Sequence, residues 1–361
     1  MKDEKKHILF LSSWHVQEDN PLLGNFVDYQ ASALDDMYDV TFIKLIPSKS
    51  KIAPIYKWDQ LVPFEQFSNP ILNYLSKRKA FYNAIRKIKP VDLIHGHVSL
   101  GNGWQFREAK RRLGAPLVLT EHGSYFRDDY AWNPRVKYEI WKTYKEVDSV
   151  IAVSSLLALD INKRTTANPH MIPNPVDLSK FTIHSKSIVD FEFLHISTLD
   201  NIKNPIPIVL AFEKLLNNHS TIKLTIVSDG NTAGVKSLVS ERGIDKFVEI
   251  HGATSHDELV KFYERANCFV LNSYYETFSI VVAEAWASGL PVISTPVGIA
   301  KDCSSDLVEL TDGTPDDVHR AMLQVMQNYG KYDAHHIRRK SEEYSLDTFK
   351  IRINELYSSL L

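Results

Sequence analysis

From residue 7 to residue 295 the chain repeats one pattern: a short apolar run, a polar or Gly/Pro break, then a longer stretch with helical spacing. Runs at 7–12, 40–45, 93–95, 117–120 and 149–154 are brief and rich in β-branched residues, which predicts buried parallel strands. Helical spacing fills the gaps at 25–37, 69–89, 101–113 and 132–146. A second series of runs lies at 193–197, 223–228, 247–251, 268–272 and 291–295, with helices predicted at 204–217, 231–242, 255–266 and 279–288. Strands alternating with helices build parallel sheets covered on both faces. Two series of about five strands predict an α/β chain of two doubly wound, Rossmann-like lobes.

The break between the series is I-P-N-P-V-D-L-S-K-F, residues 172–181. Its prolines can continue neither a helix nor a central strand. The expected lobes are 1–175 and 176–345. A last amphipathic helix near 346–361, apolar at Phe349, Ile353 and Leu356, is expected to complete the first lobe. A chain of 361 residues suits two such domains.

Charge and composition exclude several classes. The two cysteines, Cys268 and Cys303, have no metal-ligand spacing and no disulfide framework, which points to a reducing compartment. The apolar run at 7–11 is too short for a signal-peptide core, and no segment approaches 18 uninterrupted apolar residues. A soluble, cytoplasmic protein is expected. The net charge of −2 argues against nucleic acid as a partner. Residues 51–89 nevertheless carry eight basic and two acidic side chains. The stretch 77–89 reads either as a solvated helix face or as a peripheral contact with the inner, anionic face of a membrane.

In doubly wound sheets ligands bind beyond the carboxyl ends of the strands, so chemistry is sought there. The most informative segment is N-S-Y-Y-E-T-F-S-I-V-V-A-E-A-W-A-S-G-L-P, from Asn272 to Pro291. A strand ends at Asn272, Glu276 falls in a loop, and a helix is expected to start near 277–279, with Glu284 two turns in. Inside one helix the two glutamates would stand about 12 Å apart and about 80° around the axis, so they are no close carboxylate pair. The free N–H groups at the helix start suit a diphosphate. Glu276 can then take sugar hydroxyls and Glu284 ribose hydroxyls.

This segment resembles the E-x7-E motif of the family 4 retaining glycosyltransferases, which have the GT-B fold of two lobes facing across a cleft. The resemblance runs over essentially the whole chain. N-P-L-L-G-N-F after the first strand resembles the family's glycine-containing loop, with Gly24 and Asn25 toward the donor. L-I-H-G-H-V and P-L-V-L-T-E-H-G also follow the family, and His122 matches the histidine that faces the donor sugar. A turn glycine without a ligand and a satisfied core histidine are the competing readings of Gly24 and His122. His95 and His97 share a strand face but lack a further ligand at fixed spacing; a structural or acceptor-side role is expected. No metal site and no cofactor beyond the nucleotide-sugar co-substrate is expected.

The chain departs from the family at three places. Where the family shows G-R-L and then a basic residue, this chain has I-S-T-L-D-N-I-K-N, so Thr198 stands for the arginine and Lys203 remains. E-G-F-G is here E-T-F-S (276–279), and G-D-G-P is S-D-G-N (228–231). The resemblance implies a metal-independent, retaining transfer of a hexose-type sugar from a nucleotide-sugar, UDP-sugar favoured, to a saccharide or lipid-linked saccharide in polysaccharide or glycolipid synthesis. Glu276, His122 and Lys203 are the expected catalytic residues. Gly24, Asn25, Thr198, Thr277, Phe278, Ser279, Ile280 and Glu284 are the expected substrate contacts. Acceptor contacts are expected in the loops 46–70 and 124–135, the latter holding Tyr125, Phe126, Arg127, Tyr130 and Trp132. The rival readings are a GT-B epimerase or phosphorylase, and a non-catalytic nucleotide-sugar-binding subunit.

Overall fold

The computed structural model describes residues 5–15, 24–127, 133–184, 188–301 and 303–361. They form two compact units, one reaching to Pro175 and including Phe349–Leu361, the other Val176–Thr348. No helix among the described residues is long and apolar enough to cross a membrane.

The first unit is a parallel sheet of β1 (His7–Leu11), β2 (Asp39–Pro47), β3 (Asp59–Phe64), β4 (Leu93–His97), β5 (Leu117–Glu121), β6 (Ser149–Ala152) and β7 (His170–Met171). Their order is β3-β2-β1-β4-β5-β6-β7. Every residue of β1, β4 and β5 is buried, so these strands have no water-facing side and helices must cover both faces. The covers are α1 (Asn25–Leu34), α2 (Pro70–Ile85), α3 (Gly103–Leu113), α4 (Pro134–Tyr144) and α5 (Ser155–Arg164). The chain marks their starts: Asn69 and Asn133 each accept two backbone N–H bonds ahead of a proline, and Ser154 caps α5.

The second unit repeats the plan with β8 (Glu192–Ile196), β9 (Lys223–Val227), β10 (Val248–His251), β11 (Cys268–Leu271), β12 (Val292–Ser294) and β13 (Val308–Leu310). Its order is β10-β9-β8-β11-β12-β13, all parallel. Around it run α6 (Ile206–Leu216), α7 (Ala233–Glu241), α8 (His256–Arg265), α9 (Ile280–Ala287), α10 (Pro315–Gln327) and α11 (Ala334–Ser341). Phe193, Leu224, Ile226, Val270 and Ile293 of the sheet pack with Ile208, Phe212, Val239 and Met322 of the helices in one apolar cluster. Each such side chain contributes about 1.5–3 kcal/mol on burial. The last helix, α12 (Leu346–Ser358), buries Phe349, Ile353, Leu356 and Tyr357, and the Tyr357 hydroxyl meets His95 Nδ1 at 2.6 Å.

The sheets have seven and six strands rather than five each, because the sequence reading missed β3, β7 and β13. Pro63 lies inside β3, and it is tolerated because β3 is an edge strand. The other two have only two and three residues. Unread helices α5, α10 and α11 complete the covers.

In both units the order of connection reverses beside the first strand, between β1 and β4 and between β8 and β11. That is the switch point where open α/β sheets bind ligands. In the second unit one backbone contact shapes this place: a Cβ on Gly230 would come within 1.8 Å of the Thr198 carbonyl oxygen. Gly230→Ala is therefore expected to lower stability by about 1–3 kcal/mol, read by urea unfolding; an unchanged midpoint would contradict the contact.

Candidate active site

The site in the second unit is built from the loops that leave β8 and β11. The β8 loop is fixed from its start. His195, fully buried and pushed down to about 4 by desolvation, is neutral at pH 7. Its Nδ1 lies 2.8 Å from the Val270 carbonyl and its Nε2 2.8 Å from Ser197 Oγ, and the Leu199 N–H donates to that hydroxyl oxygen. Asp200 then gathers the turn by accepting from the Thr198 hydroxyl at 2.8 Å and from the N–H groups of Ile202 and Lys203. Asn272, at the end of β11, donates to the Asn204 carbonyl, and the Tyr274 N–H donates to that of Ile202. The two loops are thus tied to each other.

Lys203 Nζ lies 2.6 Å from Glu276 Oε1, an ion pair across the β8/β11 switch point, and the Ser273 hydroxyl donates to the same oxygen at 2.7 Å. The structure brings together these two expected residues. It turns Thr198 to Asp200 instead, so its hydroxyl is engaged inside its own loop.

Helix α9 begins at Ile280, not at 277–279, and Glu284 is little more than one turn in, not two. Ser279, the residue before it, has φ 75° and makes no capping bond, and its buried Oγ has no hydrogen-bond partner. Left-handed backbone costs a non-glycine residue about 1–2 kcal/mol, which is a physical reason for the glycine that the family's E-G-F-G places here. Phe278 is buried with its ring edge-on to Tyr344, and its carbonyl accepts the Ile299 N–H at 2.9 Å. Phe278 therefore secures the loop by its side chain. The Ile280 and Val281 amides, at the positive end of α9, take no intrahelical acceptor. Thr277 lies in the same loop.

Glu284 is not beside Glu276's partners. It is buried, with Oε1 2.9 Å from His256 Nε2 and Oε2 accepting from the Tyr263 hydroxyl at 2.9 Å. Sequence reasoning missed His256, Tyr263, Ser273 and Asp200. His256 had a signal, since it opens α8 in a Ser255–Glu258 capping box just beyond β10.

In the first unit, His122 follows β5. Its Nε2 lies 3.2 Å from His97 Nδ1, and its ring packs at 4.2 Å on Phe26. His95 in turn meets Thr120 Oγ1 at 2.7 Å. Burial pushes His95 and His122 down to about 3 and His97 well below its ordinary value, so all three are neutral near pH 7. Gly24 stands before α1 with φ 74°, and a Cβ there would come within 2.1 Å of the Trp14 carbonyl oxygen. Its glycine is already required by the fold. Asn25 opens α1, its side chain lying outside the described residues.

Of the aromatic residues expected to meet the acceptor, Tyr125 and Phe126 are buried instead. The Tyr125 hydroxyl donates to Glu121 at 2.6 Å, where that of Tyr144 also donates at 3.2 Å. Tyr130 and Trp132 lie outside the described residues. Part of the basic stretch 77–89 is occupied as well: Arg78 bonds the Tyr82 hydroxyl and Lys89 pairs with Asp39. Lys79, Arg86 and Lys87 are exposed, with no ion pair among the described residues.

Two family models match consecutive parts of the chain. "Glycosyltransferase Family 4" covers residues 23–180, and "Glycosyl transferases group 1" covers residues 181–343. The chain belongs to the family 4 glycosyltransferases. It is similar to the alpha-monoglucosyldiacylglycerol synthase of Streptococcus pneumoniae, 26% identical over 82% of this chain and 72% of that protein. It is also similar to the gpi3 subunit of phosphatidylinositol N-acetylglucosaminyltransferase of Schizosaccharomyces pombe, 25% identical over 77% and 61%. A third relative is the D-inositol 3-phosphate glycosyltransferase of Arthrobacter, 33% identical over 57% and 55%. The matches to the last two thus span little more than half of those proteins. Among solved structures, sucrose-phosphate synthase from Thermosynechococcus elongatus superposes with a TM-score of 0.82 over 99% of each chain at 18% identity. An Anabaena protein in complex with UDP and glucose gives 0.76 over 98% and 100% at 16%. The fold is GT-B, and the family 4 glycosyltransferase is an enzyme.

Two outcomes test this local reading. Ser279→Gly is expected to raise stability by up to about 1 kcal/mol, strain relief exceeding the added chain entropy; a lower unfolding midpoint would count against it. Desolvation raises Glu121 to about 6 from 4.5, against the bonds from Ser99, Tyr125 and Tyr144 that lower it. A carboxyl raised on folding costs stability as pH climbs from 4.5 to 6, by about 2 kcal/mol in all, and that cost persists above pH 6. Urea unfolding of Glu121→Gln should lose this fall between pH 4.5 and 7; slopes matching the parent's would refute it.

Proposed function

We propose that this glycosyltransferase moves a hexose-type sugar from a nucleotide-sugar, with UDP as the nucleotide, to a saccharide or lipid-linked saccharide, with retention and without a metal ion. The observation that carries the reading is the Lys203–Glu276 pair at the β8/β11 switch point, next to the amides that open α9. A diphosphate needs positive charge from two sides, and the ammonium and the helix start supply it. Glu276 is left for sugar hydroxyls, and Glu284, held by His256 and Tyr263, for the ribose. His122, neutral, offers a hydrogen bond rather than a charge to the sugar. UDP in the Anabaena protein's structure supports the choice of nucleotide.

In the proposed step the bond between the anomeric carbon and the diphosphate oxygen breaks, and the departing charge is stabilised by Lys203 and the α9 amides. The acceptor hydroxyl attacks from the face the diphosphate leaves and gives its proton to the departing phosphate oxygen. A glycosidic bond forms and nucleoside diphosphate is released. The lipid acceptors in the names of two relatives support a lipid-linked acceptor. On α2, exposed Ile71, Leu72, Tyr74 and Leu75, with Lys79 and the following Arg86 and Lys87, support peripheral contact with an anionic membrane.

Glu276→Ala and Lys203→Ala should each lower transfer about tenfold or more while circular dichroism and unfolding midpoint stay near those of the parent. A thermal-shift panel of UDP-, GDP- and ADP-sugars identifies the nucleotide, since saturating ligand adds about 2.7 kcal/mol at 100 times its dissociation constant. Full transfer by both variants, an inverted product anomer, or loss of activity in EDTA would each overturn the corresponding part of the proposal.

A further inference from the structure

The first unit has a cavity of about 720 Å³ at its own switch point, beyond the carboxyl ends of β1, β2, β3 and β4. Its walls come from the segment after β1, the end of β2 and the residues after it including Lys49, Phe64 at the end of β3, the α2 side chains Asn73 and Lys77, and Trp104 and Gln105 at the start of α3. Three features of this wall define a ligand.

Lys49 and Lys77 line the cavity, and neither pairs with a carboxylate among the described residues; the cavity wall contains no acidic side chain. Lys77 is half-buried, its Nζ 4.9 Å from the centre of the Phe64 ring, and desolvation pulls it below its ordinary value. An ammonium drawn out of water without a counter-charge is a standing demand for an anion. Gln105 is buried against the same cavity. Its amide nitrogen donates to Asn102 at 3.3 Å, but its Oε1 takes no hydrogen bond. A buried carbonyl oxygen without a donor calls for a hydroxyl from the ligand. Trp14, Trp104 and Phe64 add aromatic walls, the partners that the apolar faces of sugar rings take.

We infer that this cavity binds the acceptor, and that the acceptor is an anionic hydroxylated molecule, a sugar or polyol bearing a phosphate, with the anion on Lys49 and Lys77 and a hydroxyl on Gln105. The inference rests on the transferase reading above and names its acceptor class. Lys77 and Asn73 face this cavity from α2, the helix that also exposes Ile71, Leu72 and Leu75. The phosphate therefore has two sources, a soluble sugar phosphate or the headgroup of a lipid.

The test uses the full chain with nucleoside diphosphate at saturation, so that phosphate cannot report from the donor side. Calorimetry compares glucose with glucose 6-phosphate and glycerol with glycerol 3-phosphate. A second arm compares sedimentation with phosphatidylcholine vesicles lacking or containing phosphatidic acid. The parent should prefer the phosphorylated partner by about tenfold or more in at least one arm, the arm that responds naming the source. Lys49→Ala/Lys77→Ala should abolish that preference, and Gln105→Leu should weaken soluble ligands while leaving the preference for phosphate. UDP binding should be unchanged in these variants. No preference in either arm, or a preference that survives the double lysine variant, overturns the inference. Failure of UDP to bind the parent would instead overturn the donor reading, so the two failures are distinct.

Discussion

Everything proposed for the second unit depends on one ion pair at the edge of water. Lys203 and Glu276 retain about a quarter and an eighth of their side-chain exposure, so the pair is neither a surface bridge screened to insignificance nor a buried one whose desolvation cancels its attraction. Its value is positional. The pair holds an ammonium at the switch point, and each partner has a bond that a ligand's group can replace. Under the proposed function a diphosphate takes the ammonium and a sugar hydroxyl takes the carboxylate. The exchange replaces one charge-assisted contact by two. That argument also explains the surrounding order. The bonds of Asp200, Ser197, His195 and Asn272 order the loop backbone that carries Lys203.

The first unit solves a different problem, which is to keep polar rings in a dry place. His95, His97 and His122 lie one beside another, with ring centres 4.2 and 5.5 Å apart. A protonated ring there would lack solvent, and two would repel each other. Burial holds all three neutral, and the rings meet their neighbours through directional hydrogen bonds instead of charge. Tyr357 of the last helix closes one end of this row through His95. The C-terminal helix is thus part of the first unit for a polar reason as well as an apolar one.

How much of this was legible in the residues follows from which signals are local. The alternation of apolar runs and helices carried the fold, because strands such as β1 and β5 are buried on both faces and so are mostly apolar, with few polar side chains to interrupt the run. What stayed hidden was non-local. Lys44 in β2 is buried between Asp28 of α1 and Asp59 of β3, at 2.6 and 2.7 Å, and this helps hold the proline-containing β3 on the sheet. Glu276 is expected at the site from its place after a strand and Lys203 from the family resemblance, but their contact needs β8 and β11 to be neighbours, which 72 intervening residues conceal. The sequence puts Glu284 forward as a candidate substrate contact but shows neither of its partners. His256 and Tyr263 come from a helix whose own pattern announces only a cap and an amphipathic face. Tyr125 and Phe126 misled for the opposite reason: an aromatic pair in a loop resembles a binding wall until Glu121 is seen to need the Tyr125 hydroxyl.

Thr198 is where local chemistry and family pattern disagree most, and the structure gives the disagreement a physical form. An arginine at this place would bring a second fixed positive charge; the threonine spends its hydroxyl on Asp200, which also gathers the amides of Ile202 and Lys203. The loop has internal order where the family's pattern places a second cation. One ammonium and a helix start neutralise a diphosphate less completely than two cations and a helix start, so under the proposed function the leaving group depends more on how accurately Lys203 is held than on how much charge surrounds it. The strained Ser279 points the same way. It retains left-handed backbone at the start of α9 without glycine's freedom, and such strain persists only where the surroundings over-determine the conformation. Rigid placement on both loops, rather than abundant charge, is the means by which this chain can serve the chemistry of its family.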